Sequence, residues 1–312
     1  MDIRQTKEFM AAERFILRNA RPLDMAMWNM RYHGGSTEQV LNALSAFQNE
    51  DGGFGWGLEC DSLNPESSPI QTMDACRVLR EAGVEDGSHP IVRGILRYLA
   101  SGKHFDERAG QWLNSIPSNN DYPHAIWWSF DPTMTPDKNP MPYNPTAALA
   151  GFILKFAERD SDLWSKAMKI AKEAIAALKS GTIPPEQNVT GAFAVMYTYM
   201  QQAGIPDEYG LREVLLSRAD AEICSDSSRW ATEYVPKPSD YISGKDSIFY
   251  CGREQLCRTE CEFIRNAQKP DGSYPITWQW FTDYREFALS ANRWMSRLIL
   301  NNIHFLEEFG EQ

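Results

Sequence analysis

The chain has 312 residues, of which 43% are hydrophobic and 12% aromatic, and its formal net charge is −11 at pH 7. This composition provides enough apolar side chains for a sizeable core and argues against disorder of the whole chain. The negative charge repels phosphate backbones and anionic membrane surfaces, and no run of Lys or Arg offsets it. We therefore expect no nucleic-acid partner.

The first residues, Met1–Lys7, contain no apolar segment of the kind that opens a signal peptide. No stretch reaches the length of about 18 apolar residues that crosses a bilayer. The six cysteines are Cys60, Cys76, Cys224, Cys251, Cys257 and Cys261. Without a secretion signal, they are predicted to be reduced thiols rather than a disulfide framework. These features predict a cytoplasmic protein without a transmembrane segment.

Helical spacing of apolar residues predicts about ten helices and little sheet. The first begins near Arg4 and ends near Asn19, and Pro22 interrupts the pattern after it. The second spans Thr37–Gln48 and has Ser36 as its predicted N-cap, three residues before a Gln.

Eight further helices are predicted along the rest of the chain. They are placed at Gln71–Ala82, Pro90–Ser101, Thr146–Glu158, Leu163–Lys179, Thr190–Ala203, Glu208–Ser217, Arg253–Gln268 and Tyr284–Phe309. Gly83, Gly181 and Gly204 follow three of these helices, as expected of C-terminal caps. Together these segments predict an all-α fold.

Two long irregular segments interrupt the helices, at Lys103–Tyr143 and Cys224–Ile248. Loops of this length in a compact domain are usually functional or disordered. The first contains six Pro and is rich in aromatic residues. Because disordered segments are poor in aromatics, we expect it to form an ordered lid or cavity wall.

Two segments match at an offset of 220 residues, Leu41–Phe54 and Cys261–Tyr274. Each is a predicted helix that ends in Gln, followed by two residues and then by Asp-Gly, a small residue and an aromatic one. Thr72, Thr146 and Thr190 also stand at similar places near the starts of three helices. Recurrent helix pairs of this kind indicate stacked or circular helical hairpins.

The pattern Gln-x-x-Asp-Gly-Gly-Phe-Gly at Gln48–Gly55 resembles the repeat shared by squalene and oxidosqualene cyclases and by the β subunits of protein prenyltransferases. The stretch Asp51–Leu79 is especially similar to the glycine-rich repeat of those β subunits. The resemblance implies an α/α toroid, a barrel of about five to six helical hairpins whose inner helices line a central cavity. It also implies that the Gln and the aromatic residue tie one hairpin to the next. Residues 1–312 would then form a single toroid domain.

Two carboxylates, Glu59 and Asp61, directly follow the glycine-rich loop. If this segment is extended, both side chains point the same way and raise each other's proton affinity. A carboxylic acid kept protonated near neutral pH serves as a general acid. The alternative is that both carboxylates cap the next helix or bind N–H groups of the loop.

The chain lacks two motifs of the enzymes that it resembles, the Asp-x-Asp-Asp of class II cyclases and the magnesium-binding Asp-Asp-x-x-Asp of class I synthases. The spelling Asp74-Ala75-Cys76, with the distant His304, matches the zinc ligands of prenyltransferase β subunits, but Cys76 is more simply a buried thiol. The same interpretation applies to Cys257 and Cys261. We predict no metal and no cofactor.

Aromatic and titratable side chains in the loops complete the candidate site. His33 and His124 lie in aromatic neighbourhoods and are candidate acid/base groups besides Glu59 and Asp61. Aromatic faces stabilise cations and stack on sugars, and an Arg binds carboxylate or phosphate. The predicted substrate-binding residues are Trp28, Trp56, Trp127, Trp128, Trp278, Trp280, Tyr284 and Arg285. Phe54 and Tyr274 occupy the aromatic position of the repeat and are expected to pack between hairpins.

Three functions remain open. The first is a terpenoid cyclase-like or prenyltransferase-like enzyme that binds an apolar, isoprenoid-like molecule and uses Asp61 or Glu59 as acid. The second is a carbohydrate-active hydrolase or lyase that binds an oligosaccharide with paired carboxylates and Trp platforms. The third is a non-catalytic toroid that binds a ligand or a peptide. The cavity of an isoprenoid enzyme needs fewer hydrogen-bonding side chains than that of a sugar enzyme. The oligomeric state stays open.

Overall fold

The computed structural model describes residues 2–134 and 138–310, which are mostly helical. Within this part of the chain lie eleven α-helices and two strands of two residues each. The all-α class that the sequence predicts is confirmed. None of the described helices combines the length and the apolar character needed to cross a membrane.

The chain divides into two compact units, unit 1 (Met1–Ala43 with Glu222–Gln312) and unit 2 (Leu44–Ala221). Helix α3, Thr37–Ser45, begins in unit 1 and ends in unit 2, and α9, Leu211–Glu222, ends at the second boundary. The other helices of unit 1 are α1 Lys7–Asn19, α2 Pro22–Tyr32, α10 Glu254–Ala267 and α11 Phe287–Phe309. Those of unit 2 are α4 Pro69–Glu81, α5 Pro90–Ala100, α6 Thr146–Phe156, α7 Asp162–Lys179 and α8 Gln187–Gln202.

The centre of unit 2 is helix α6, in which every residue from Thr146 to Leu154 is buried. A helix that is apolar all round belongs in a core, and α6 packs against α7 and α8. Gly151 permits the contact with α8, because a Cβ at this position would lie 2.7 Å from the Cα of Met196. Burial of a side chain such as Phe193 contributes about 2–3 kcal/mol each.

Unit 1 is built on an aromatic contact between α1 and α2. The ring of Phe9 lies 4.8 Å from that of Trp28 and 5.1 Å from that of Tyr32. Helix α11 packs on both helices, and the Asn292 side chain donates to the carbonyl of Asn19 at 3.0 Å. The amino-terminal and carboxy-terminal parts of this chain therefore share one core.

Most predicted helices are present within a few residues of their predicted ends, but α2 was not predicted. The sequence pattern was interpreted as interrupted at Pro22, whereas Pro22 is the first residue of α2. Proline is tolerated there because the first N–H of a helix has no intrahelical partner. The predicted cap of α3 is confirmed: the hydroxyl of Ser36 accepts from Gln39 N at 3.3 Å, and Gln39 Oε1 accepts from Ser36 N at 2.9 Å. Three predicted capping glycines, Gly83, Gly181 and Gly204, all have positive φ.

The segment Lys103–Tyr143, predicted to be an ordered lid or cavity wall, contains short regular elements in its described part; residues 135–137 lie outside the described residues. It contains an antiparallel hairpin of β1, Phe105–Asp106, and β2, Gln111–Trp112. Two 3-10 helices follow, at Pro117–Asp121 and Ile126–Trp128. Trp112 and Trp128 are buried and anchor the segment to the rest of unit 2.

Candidate functional site

The first repeat loop, Gln48–Phe54, is fastened to the backbone of helix α5. Nε2 of Gln48 donates to the carbonyl of Gly52 at 3.0 Å and to that of Ile91 at 3.1 Å. Gly52 has φ +92°, and a Cβ there would lie 2.1 Å from the carbonyl oxygen of Gly94. Only glycine meets both the backbone conformation and the close approach.

The second repeat loop, Gln268–Tyr274, is fastened to helix α1 by the same bonds. Nε2 of Gln268 donates to the carbonyl of Gly272 at 3.3 Å and to that of Glu8 at 2.9 Å. Gly272 has φ +94°, and a Cβ there would lie 2.0 Å from the carbonyl oxygen of Ala11. The internal repeat seen in the sequence is therefore a repeat of structure.

The Asp of each loop accepts one N–H and one hydroxyl. Oδ1 of Asp51 accepts from Gly53 N at 3.0 Å and from the Ser67 hydroxyl at 2.6 Å. Oδ1 of Asp271 accepts from the N–H and the hydroxyl of Ser273 at 2.9 and 2.7 Å. Burial alone would raise the pKa of Asp51, but hydrogen bonds from Ser67, Lys103 and Gly53 N lower it overall. The N–H and then the hydroxyl of Ser273 lower the pKa of Asp271.

The aromatic residues of the two loops, Phe54 and Tyr274, are buried at 0% and 2% exposure. Both therefore lie in the protein interior, and packing between hairpins stays a prediction.

Glu59 and Asp61 are both buried, at 8% and 3% exposure. Ser62 N donates to the carbonyl of Glu59 at 3.3 Å, so the segment forms a turn. The prediction that both carboxylates point the same way assumes an extended chain and is therefore not supported. Oε2 of Glu59 accepts from Asp61 N at 2.9 Å. Glu59 thus binds an N–H group of its own turn, as the alternative interpretation proposed.

The structure places His124 beside this turn. A β-bridge pairs Ser62 with His124, and Ala125 N donates to the carbonyl of Asp61 at 2.8 Å. The His124 ring is buried and bonded at both nitrogens, with Nδ1 2.7 Å from the carbonyl of Tyr122 and Nε2 3.0 Å from the Ser129 hydroxyl. One turn of the first repeat and one turn of the long insertion therefore form a polar site in unit 2.

Three of the predicted substrate-binding tryptophans belong to unit 2. Trp127 is half-buried and Trp128 buried, both in the 3-10 helix that follows His124. Trp56 is exposed at 57% and has φ +61°, an uncommon backbone conformation for a tryptophan. Its Nε1 donates to the side-chain oxygen of Asn49 at 2.9 Å.

The other predicted site residues belong to unit 1. His33 is exposed and its Nε2 lies 2.7 Å from a carboxylate oxygen of Glu13. Trp28 has no exposed surface and is part of the core between α1 and α2. The remaining four lie in the segment before α11 or at its start, where Trp280 is buried, Trp278 and Tyr284 are half-buried and Arg285 is exposed.

The cysteines that could have suggested zinc are buried thiols. Burial raises the pKa of Cys76 far above its usual value, that of Cys257 to about 11 and that of Cys261 to about 12. Among the described residues, no group of three or more His, Cys, Asp and Glu side chains could hold a metal ion.

Sequence reasoning did not single out Ser129 or Ser62. Ser129 is exposed and meets His124 only because the 3-10 helix between them folds back. The Ser62 hydroxyl is buried and has no hydrogen-bond partner among the described residues. A His followed five residues later by a Ser carries no sequence signal of its own.

Comparisons of the chain with protein-family models, with curated proteins and with solved structures yield no match.

Proposed function

We propose that this chain is a small enzyme of the α/α-toroid type that binds an apolar, isoprenoid-like substrate and starts its reaction by donating a proton. The observation that carries this proposal is the equivalence of the two repeat loops, each with a Gln bonded to its own loop and to a further helix. This is the arrangement that the resemblance to cyclases and prenyltransferase β subunits implies.

The partner helices of the two loops support the toroid. The first loop is bonded to α5, which comes later in the chain, while the second is bonded to α1, the first of the α-helices. A closed ring of hairpins needs a tie between its last and its first hairpin. The contact between Gln268 and α1 inside unit 1 is a tie of that kind.

Asp61 is the proposed acid. It is more buried than Glu59, one of whose oxygens is already occupied by the N–H of Asp61. Trp127 and Trp128, close to His124 in the chain, would supply the aromatic faces that stabilise a carbocation.

The test is product formation from farnesyl diphosphate, geranylgeranyl diphosphate and squalene, with hydrocarbon products identified by gas chromatography and mass spectrometry. Asp61→Asn should abolish the product while circular dichroism shows a retained helical fold. The matched control is Asp131→Asn, which removes an exposed carboxylate of the same unit. Equal product from Asp61→Asn and the wild type would reject Asp61 as the acid, and no product from any substrate would reject the isoprenoid class.

A carbohydrate-active enzyme is the second candidate, because many polar side chains are buried around the Glu59–Asp61 turn. Asn64, Gln71 and Asn119 have at most 1% exposure. Several of their bonds hold the backbone, as when Gln71 donates to the carbonyl of Asn64 at 2.9 Å. Release of reducing ends from a panel of neutral oligosaccharides would favour this candidate over the first.

A further inference from the structure

Ser129, His124 and the carbonyl of Tyr122 form a chain of hydrogen bonds at the surface of unit 2. Nδ1 of His124 lies 2.7 Å from the Tyr122 carbonyl oxygen, which only accepts, so Nδ1 carries the ring proton in the neutral form. Nε2 is then the basic nitrogen, and it lies 3.0 Å from the Ser129 hydroxyl. The hydroxyl therefore donates to the imidazole.

This order of groups is what an activated serine requires: a nucleophile within hydrogen-bond reach of a base, and a third group that orients the base. The exposure pattern agrees with it, since Ser129 is exposed to an incoming molecule while His124 is only 5% exposed. A base shielded from water keeps its tautomer and its direction.

The scaffold around these groups is firmly bonded. Leu63 N donates to the carbonyl of Pro123 at 2.9 Å, which together with the bridge between Ser62 and His124 fixes the backbone of the base. The Asn120 side chain accepts from Phe130 N at 2.8 Å and donates to the Phe130 carbonyl at 2.9 Å, which fixes the backbone after Ser129. The backbone on both sides of the hydrogen bond between Ser129 and His124 is therefore fixed by other contacts.

One polar atom beside the base has no partner. The Ser62 hydroxyl is buried. Residues directly opposite in an antiparallel bridge have their side chains on the same face, so the Ser62 side chain lies on the same side of the bridge as that of His124. A buried hydroxyl without a hydrogen bond is destabilising, and a ligand carbonyl that accepted a hydrogen bond from it would remove that cost.

We propose that Ser129 is a nucleophile for acyl transfer and that His124 is its general base, an activity beyond the isoprenoid chemistry proposed above. Ser129 Oγ attacks the carbonyl carbon of an ester while its proton moves to His124 Nε2. The leaving alcohol takes that proton as the ester bond breaks, and an acyl-Ser129 ester remains. In the second half, water attacks this ester while its proton moves to His124 Nε2. That proton passes to Ser129 Oγ as the acyl–Oγ bond breaks, so a carboxylic acid leaves and the free serine is restored.

Small activated esters, such as aryl esters, are the expected substrate class. The N–H of Phe130, next to the nucleophile, is already bonded to Asn120 and is not available to a developing oxyanion. A good leaving group lowers the barrier that an oxyanion donor otherwise lowers. We therefore expect fast acylation by activated esters and slow hydrolysis of the acyl-enzyme.

The experiment treats the full chain with a fluorophosphonate probe and measures the labelling rate of each serine by peptide mass spectrometry. Ser129 should react at least a hundredfold faster than Ser180, an exposed serine of the same unit whose hydroxyl bonds only to a backbone carbonyl and to Thr182. This comparison is made within one molecule and needs no variant. Equal rates at the two serines would overturn the proposal.

Two variants complete the test, with p-nitrophenyl acetate as substrate. Ser129→Ala should abolish the burst of nitrophenol that the wild type gives, and an undiminished burst would overturn the proposal. Ser180→Ala should leave both the burst and the labelling of Ser129 within about twofold of the wild type, because Ser180 follows helix α7 and its hydroxyl bonds to Ala177 and Thr182. Failure of the isoprenoid assays together with fast labelling of Ser129 would reject the isoprenoid function and leave the acyl-transfer proposal intact.

Discussion

The two repeat loops make the same hydrogen bonds with different residues. In the loop Gln268–Tyr274, Ser273 provides both the N–H and the hydroxyl that Asp271 accepts. In the loop Gln48–Phe54, the corresponding position is Gly53, and the hydroxyl comes instead from Ser67, outside the loop. A Cβ at position 53 would lie 2.6 Å from the Cβ of Ser67, so the first loop has no room for its own serine. What the two loops keep in common is the bond and not the residue.

The loops differ more in what surrounds them. The first leads into the buried turn that carries Glu59 and Asp61, whereas the second leads through an irregular segment to α11. The helices that lead into the two loops also differ. Glu260 of α10 corresponds to Val40 of α3, 220 residues earlier, and both side chains are fully buried. The repeat is a scaffold, and any chemistry lies in the residues that the two copies do not share.

The largest expected effect follows Gly52→Ala and Gly272→Ala, each of which places a methyl group about 2 Å from a carbonyl oxygen of α5 or α1. We expect each substitution to lower the free energy of unfolding by about 3–5 kcal/mol, because left-handed backbone strain and overpacking add. Urea unfolding followed by circular dichroism measures this loss.

The matched controls are Gly83→Ala and Gly252→Ala, which lie at φ +69° and +82° with nothing within 4 Å of a built Cβ. These variants carry only the backbone strain, about 1–2 kcal/mol. A loss at Gly52 or Gly272 no larger than at these controls would mean that the loops do not seat tightly on α5 and α1.

The second effect concerns the pH dependence of stability, which the buried Glu260 of α10 should influence and the corresponding Val40 of α3 cannot. Burial raises the pKa of Glu260 from 4.5 to about 7, although Ser239 donates to both carboxylate oxygens; Asp240 raises it and Lys237 lowers it. Because the folded pKa lies above the unfolded one, the stability that this carboxyl contributes is fully present below pH 4.5 and is lost as pH rises through about 7, by on the order of 3 kcal/mol.

Glu260→Gln should remove this fall, so that the variant gains on the wild type between pH 5 and pH 8 in urea unfolding. Its control is Glu262→Gln, which changes an exposed carboxylate of the same helix and should behave as the wild type does. An unchanged pH profile in Glu260→Gln would contradict the assignment.

The third effect compares the two glutamines. Gln48→Ala and Gln268→Ala each leave two carbonyl oxygens without their donor, which we expect to cost about 2 kcal/mol in either loop. Differential scanning calorimetry gives the two shifts in Tm, and Gln201→Ala, at an exposed glutamine, is the control. A clear loss in only one of the loops would show that the shared geometry does not carry shared stability.

The smallest effect is that of the hydroxyls. Ser67→Ala and Ser273→Ala each remove one donor to an Asp Oδ1, for an expected loss of about 1 kcal/mol at pH 7. Since the pKa values of Asp51 and Asp271 are lowered in the fold, the wild-type bonds stabilise above pH 4 and are lost as pH falls below it. Wild type and variants should therefore converge in stability near pH 2. Parallel curves down to that pH would contradict the role of these hydroxyls.

The sequence predicts the repeat well, because both of its copies are local. The Gln, the Asp and the Gly of each loop lie within five residues, and each has one physical reason for its type. Helix α2 escaped prediction because a proline at its first position was interpreted as a break, although it starts the helix. The strands Phe105–Asp106 and Gln111–Trp112 are too short to show an alternation of apolar and polar residues.

The site was predicted in part. The turn of Glu59 and the ring of His124 were both singled out, but their proximity depends on a bridge between Ser62 and His124, positions 62 residues apart. Nothing in the sequence distinguishes Ser129 from other loop serines. It lies next to that ring because the 3-10 helix Ile126–Trp128 reverses the chain between them. Pairings over such distances are set by tertiary packing, which a single sequence does not display.

Unit 1 has a further consequence during biosynthesis, because its two segments are separated by the whole of unit 2. A ribosome synthesises about 5–20 residues per second, so unit 2 is complete and able to fold while α1 and α2 still lack their partners. The faces of these two helices that later pack against the carboxy-terminal part of unit 1 stay exposed on the nascent chain until α10 and α11 have been synthesised. We expect this interval to be the period in which the protein most depends on chaperones.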